Sequence, residues 1–294
     1  MTDATSQGTA APAPPRPPGL FARVARSWTG GIGLVLIGLV AASALAAPLL
    51  SPADPLAQQL SAGTIFQGPS AAHPFGTDNL GRDVLSRVLH GMRFSLGVAL
   101  ASVGIAVAIG LVAGTLAGTL GGWWDRALMR LVDSFLAFPV LILAIAISVA
   151  LGRGAGGVIL AIAFVNIPVF TRLARAQTLK IEQAQYMTAA VLMGSSLPMR
   201  ILRHTLPNML NPVLVQASVA LSFAVLIESG LSFLGLGIPA PAPSLGLMIA
   251  EAKAYIALAP HMVAFPSLAI VVTVLGFNLL GDAAGDATDP RRRG

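Results

Sequence analysis

The chain has 294 residues, of which 55% are apolar and only 10% charged, with a formal charge of +6 and no cysteine. A soluble domain carries roughly a quarter of its residues charged, so lipid must solvate much of this exterior, in keeping with a mean hydropathy of +0.79. The absent cysteine excludes disulfides, thiolate metal sites and thiol nucleophiles. The basic residues are scattered between apolar runs without an aromatic-rich basic patch, which excludes nucleic acid as a partner and marks them as topology signals.

Residues 1–28 are rich in Pro, Ala and Ser, carry Arg16, Arg23 and Arg26, and are expected to form a disordered lead with a basic flank. Residues 29–50 are the first apolar span, stopped by Ser51-Pro52-Ala53-Asp54-Pro55. A cleaved signal peptide is the rival reading, because Ala44, Ala46 and Ala47 offer small residues for cleavage. The long lead and long apolar stretch favour an uncleaved helix. A polar segment over 51–92 follows, and then further spans at 94–120, 128–151, 154–170, 211–236 and 262–281. Each is near the roughly twenty residues that cross a bilayer, the fourth being the shortest. The expected fold is all-α and polytopic, with about six transmembrane helices. After the first helix and the 51–92 segment come a five-helix core over 93–282, a polar insert at 171–210 within it, and a tail at 283–294.

Orientation follows from Lys and Arg. Of the 18 basic residues, only Arg82, Arg87, Arg93, Arg153 and Lys253 fall outside if the N-terminus is inside. The inverted topology reverses this bias, so both termini and the 171–210 insert are expected in the cytoplasm.

On the second span Ser102, Ala106, Gly110, Gly114, Gly118 and Gly122 recur every four residues, a ridge of small residues that lets another helix approach closely. Intramembrane polar residues are costly in lipid and are candidates for a hydrated path or for bonds between helices. They are Asp133, with Arg130 three residues before it, Asn166, Glu228 and Asn278. No line of closely spaced carboxylates suggests a proton relay.

Catalysis finds no support. A P-loop needs Gly-Lys followed by Ser or Thr, whereas Lys180 and Lys253 follow Leu179 and Ala252. His73, His90, His204 and His261 are far apart, and none has a ligand partner at the helical spacing of a zinc site. Asp78 and Asp83 near His73 read as part of a polar loop rich in turn residues. No nucleophile–base pairing can be assembled, and no metal site is expected.

The insert is the most informative segment. Residues 177–193 read as a helix stopped by Gly194. Ser195 and Ser196 then cap a second short helix that tolerates Pro198 in its first turn and ends at Leu206-Pro207. Two short helices joined by a tight turn thus protrude from the bilayer, an arrangement suited to docking.

These residues resemble a known family. Ala189-Ala190, Gly194 and Leu206-Pro207 look like the EAA loop of binding-protein-dependent ATP-binding cassette (ABC) importer permeases, with Thr188 where the family has Glu. His73-Pro74-Phe75-Gly76-Thr77-Asp78 and Gly81-Arg82-Asp83-Val84-Leu85-Ser86-Arg87 are similar to the dipeptide and oligopeptide (peptide/nickel) importers. So are Arg203-His204, Asn208, the run from Glu228-Ser229-Gly230 to Gly235-Leu236-Gly237, Pro243-Ser244, Phe277-Asn278-Leu279-Leu280-Gly281-Asp282 and Asp289-Pro290-Arg291. Leu245 stands where a Trp is usual. The resemblance runs from about Arg23 to the end and fits the second of the two permease subunits in such systems.

It implies a type I ABC importer permease fold in the bacterial inner membrane, with no cofactor on this chain and no enzymatic activity of its own. It also implies a heterodimer with a second permease subunit, two ATP-binding subunits that hold ATP and Mg, and an extracytoplasmic substrate-binding protein. Peptides are the implied substrate, with nickel or another small solute as the alternative. A secondary carrier is disfavoured by the missing relay and by the docking helix pair; a membrane enzyme or scaffold comes last. The pair around Thr188, Ala189, Ala190 and Gly194 would couple this chain to the ATPase.

Overall fold

The computed structural model describes residues 20–61 and 63–288, and among these the chain is helical, with a single isolated β-bridge between Thr77 and Asp83. Arg16, Asp289, Pro290 and the arginines at 291–293 lie outside the described residues. The helices are α1 (Leu20–Arg26), α2 (Trp28–Leu45), α3 (Ala47–Leu50), α4 (Val84–Leu120), α5 (Gly122–Leu136) and α6 (Val140–Leu151). They continue with α7 (Ala155–Glu182), α8 (Gln185–Leu192), α9 (Leu197–Arg200), α10 (Leu206–Phe233), α11 (Leu245–Ala252) and α12 (His261–Thr288). Five of the described helices are long and apolar enough to cross a membrane, and the bent pair α5–α6 brings the number to six when it is counted as one span.

Several boundaries differ from the sequence reading, for one physical reason. Hydropathy stops where charges begin, whereas backbone hydrogen bonding carries helices on into water. Thus α4 starts at Val84, well before residue 94, because Asp83 caps it by accepting from the Ser86 amide at 2.7 Å. Helix α7 continues past residue 170 to Glu182, and α12 past residue 281 to Thr288. The lead is helical over Leu20–Arg26 rather than disordered there, and Arg23 Nη1 donates to the Ala287 carbonyl at the end of α12 (2.7 Å).

The third predicted span is not one rod. Pro139 has no amide hydrogen and disfavours helix at Phe138, so α5 and α6 meet at 95°. Helix α6 is apolar on every side and α5 is amphipathic, so when α6 crosses the bilayer α5 runs along its surface.

Helix α4 packs closely against α7 over several turns. A Cβ added at Gly110 would lie 2.5 Å from Phe170 Cβ, at Gly114 2.2 Å from the Thr171 carbonyl oxygen, and at Gly118 2.8 Å from Thr178 Cβ. Ser102 and Ala106, on the same ridge, are fully buried. Gly122 does not belong to it: α4 ends at Leu120, Gly121 turns the chain with φ +64°, and Gly122 opens α5. Two hydroxyls in the spans bond back to their own helices: Thr171 Oγ1 donates to Ile167 O at 2.8 Å and Thr273 Oγ1 to Ala269 O at 2.7 Å.

Candidate functional site: a docking pair at one end and a buried ion network at the other

Helix α8 follows α7 after a break at Gln183-Ala184, so the helix expected over 177–193 is two: the last turns of α7 and an eight-residue helix. Helix α8 ends in a Schellman arrangement, with the Ser195 amide donating to Ala190 O (3.1 Å) and the Gly194 amide to Val191 O (2.9 Å). Gly194 has φ +76°, a conformation side chains resist, and nothing within 4 Å of an added Cβ. Met187 is buried in a cluster with Ala174 and Ile181 of α7 and Met209 and Val213 of α10, and Ala190 is buried as well; Thr188 and Ala189 face outward. Ser196 occupies the N-cap of α9 without a side-chain cap bond, and Pro198 sits in its first turn.

Leu206-Pro207 does not end the second short helix. A π-turn over Ile201–Thr205, in which the Leu206 amide reaches back to Ile201 O, joins α9 to α10, so one helix runs from Leu197 to Phe233. The wider turn admits Pro207, which begins α10 where the missing amide does least harm. An Arg200–Glu182 ion pair (3.4 Å) ties α9 to the end of α7. Val191, Leu192, Met193, Met199 and Leu202 are exposed, an apolar rim around the α8–α9 turn.

The polar residues expected in the spans do not converge. Asp133 lies on α5 and pairs with Arg172 of α7, not with Arg130. Asn166 Nδ2 donates to its own helix at Ile162 O (2.8 Å), and Asn278 is half-buried on α12. Glu228 is fully buried on α10, accepting from Ser95 of α4 (2.6 Å), Ser232 (2.8 Å) and Ser229 (3.4 Å). It therefore bonds α10 to α4.

The 51–92 segment is folded, not a solvated loop. Arg82 and Arg87 are only 2% and 1% exposed. Arg82 donates to Asp78 Oδ2 (2.6 Å) and to Glu251 Oε2 on α11 (2.9 Å), and Arg87 donates to the same Glu251 oxygen (3.2 Å). Asp78 Oδ1 also accepts the Leu80 and Arg82 amides at 2.8 and 2.9 Å. Asp83 bridges the α4 cap to His73 Nδ1 (2.9 Å). The glycines of this segment have steric reasons: an added Cβ at Gly76 (φ +77°) would lie 2.4 Å from Gln67 O, and at Gly81 (φ +69°) 2.1 Å from Gln59 O. Sequence reasoning missed the network because Glu251 is 169 residues from Arg82. The available signal was arginine on the side where the charge bias disfavours it, which requires a partner.

Five long apolar helices with a bent apolar pair, a folded cap at one end and a short helix pair at the other define a multi-pass membrane protein. Residues 110–294 match the family of binding-protein-dependent transport system inner membrane components. The chain is 48% identical over 227 residues to the glutathione transport system permease protein GsiD of Shigella flexneri serotype 5b, covering 77% of this chain and 75% of that one. It is 46% identical, with the same coverage, to GsiD of Escherichia coli O6:K15:H31. Among solved structures, the inward-facing MetNI methionine ABC transporter superposes with a TM-score of 0.57 at 18% identity, covering 69% of this chain and 96% of that one, a likeness of fold.

The chain belongs to this family: it is the permease subunit of an ABC importer of the peptide/nickel group, multi-pass in the inner membrane, and ATP hydrolysis resides on separate subunits.

Proposed function

We propose that this chain forms half of the transmembrane path of an importer for small peptides. It would do so with a second permease subunit, two ATP-binding subunits and an extracytoplasmic binding protein, and with both termini in the cytoplasm. Similarity to glutathione permeases over three quarters of both chains supports a peptide-sized substrate. The observation that carries the coupling role is the α8–α9 pair. It is anchored from behind by Met187 and the Arg200–Glu182 ion pair, and it presents an apolar rim that is exposed among the described residues. Such a rim is costly in water and is suited to a cleft on another subunit. A rigid element held this way passes a displacement on as a unit.

Replacing Gly194 by valine tests this. Steric crowding is absent at Gly194, so the cost is backbone strain, about 1–2 kcal/mol. The chain is expected to insert at normal levels, while ATP-driven uptake of labelled glutathione or dipeptides by the reconstituted transporter falls at least tenfold. Full uptake by Gly194→Val sinks the coupling role. Uptake of nickel but not of peptides by the wild type sinks the substrate assignment.

A further inference from the structure

All three tryptophans of the chain lie at one end of the bundle, and two of them stand beside arginines that have no acidic partner among the described residues. Ser51, after α3, lies 3.3 Å from His90 near the start of α4, so the start of α2 and the end of α4 share the opposite side. Trp28 opens α2, and Trp123 and Trp124 open α5 directly after α4; they are 84%, 65% and 69% exposed. The packing of Gly118 against Thr178 puts the end of α7, and hence α8 and α9, on this same side. Tryptophan exposed at one level of a membrane protein marks the boundary between acyl chains and headgroups.

Helix α5 is amphipathic and stands at 95° to the apolar α6, an arrangement suited to that boundary. A groove of about 470 Å³ runs between α5 and the end of α7, lined by Asp125, Arg126, Met129, Arg130, Asp133, Arg172 and Arg175. The two aspartates are already matched. Asp125 takes Arg175 through both oxygens, one contact at 2.6 Å, and Asp133 takes Arg172. Arg126 and Arg130, one helical turn apart and exposed, have no ion-pair partner among the described residues, and Arg126 reaches only the Gly122 carbonyl, at 3.2 Å. The groove therefore carries two uncompensated positive charges at headgroup level, beside an indole pair packed edge to face (centroids 5.1 Å apart).

We propose that this groove holds the phosphate of an anionic phospholipid of the inner leaflet, with Arg126 and Arg130 as its ligands and Trp123 and Trp124 against the upper acyl chain. The ion pairs to α7 fix the groove wall, so a bound lipid would brace α5 against α7 close to the α8–α9 pair. Tryptophan favours lipid over a soluble anion, because an inorganic phosphate has no use for exposed indoles. This inference rests on the cytoplasmic termini proposed above, because the start of α2 and α5 share one side of the bundle.

The test uses the assembled transporter, delipidated and titrated with phosphatidylglycerol or phosphatidylcholine, with bound lipid counted by native mass spectrometry. Wild type should prefer phosphatidylglycerol, and Arg126→Gln with Arg130→Gln should weaken it roughly thirtyfold, at about 1 kcal/mol per arginine. Arg126→Lys with Arg130→Lys keeps both charges and should keep most of the binding. Two binding results overturn the proposal: undiminished retention by the double Gln variant, or displacement of the lipid by excess inorganic phosphate. Placement has its own readout. In this cysteine-free chain Ser134→Cys should react with an impermeant maleimide in inside-out vesicles alone, and reaction from the outside overturns the proposal. Uptake measured on the same preparation reports separately on the transport reading.

Discussion

Replacing Gly114 by alanine adds one methyl group at the closest approach of α4 and α7. That carbon would sit 2.2 Å from Thr171 O, 2.8 Å from Ala174 Cβ and 2.9 Å from Arg175 N, and two of these neighbours are backbone atoms that cannot rotate away. Relief requires the helices to part by about 1 Å, at an overpacking cost of about 1–3 kcal/mol. Parting also weakens dispersion along the rest of the ridge, and a gap of that size forfeits roughly a quarter to a half of each contact. Lipid supplies no hydrophobic force to restore it. Alanine's higher helix propensity offsets up to about 1 kcal/mol. A net loss of about 1–2 kcal/mol is expected, seen as a Tm several degrees lower for the detergent-purified transporter. Gly104 on the same helix is the internal control, because nothing lies within 4 Å of an added Cβ there. Gly104→Ala should leave the Tm unchanged or raise it slightly, and Gly110→Ala should follow Gly114→Ala. If Gly114→Ala melts together with Gly104→Ala, close backbone packing is not what holds α4 to α7.

Glu251→Ala leaves Arg82 and Arg87 buried and short of one carboxylate; a loss on the order of 3 kcal/mol is expected, read as protease cleavage within residues 51–83 that spares the wild type. Glu228→Ala strands the Ser95 and Ser232 hydroxyls and should cost about 2–3 kcal/mol in a thermal melt, whereas Glu228→Gln keeps an acceptor for them and should cost less than about half as much. Removing Asp125 and Arg175 singly and together should yield a coupling energy of about 1 kcal/mol in a double-mutant cycle, and strict additivity would show that α5 is not held to α7 by this pair.

Features written in local spacing were legible before the structure: the small-residue ridge, the glycine that closes α8 and the alternation of spans with polar segments. The break at Pro139 was also written in the chain, yet it was passed over because hydropathy is blind to a missing amide hydrogen. Helix ends were misjudged wherever a charged residue continued a helix out of the apolar zone, as at Arg172 to Glu182 in α7. Pairings between distant positions had no local trace. Arg82 with Glu251, Asp133 with Arg172 and Ser95 with Glu228 depend on which helix faces meet, and that is decided by packing of the whole bundle.

The π-turn that joins α9 to α10 has a mechanical consequence. With the turn in place, Leu197 and Phe233 are the ends of a single strut about 55 Å long. A strut does not dissipate a push along its axis, and a tilt pivoting at its middle moves both ends by equal and opposite amounts. Glu228, near the far end, is clasped to α4 by Ser95. A stroke applied to α9 thus reaches the opposite face of the membrane in the same movement, without a relay of intermediate rearrangements. The loosened turn at Ile201–Thr205 and Pro212, which removes one amide from the ladder of α10, are where the strut can flex, and they set how stiffly the two faces are linked.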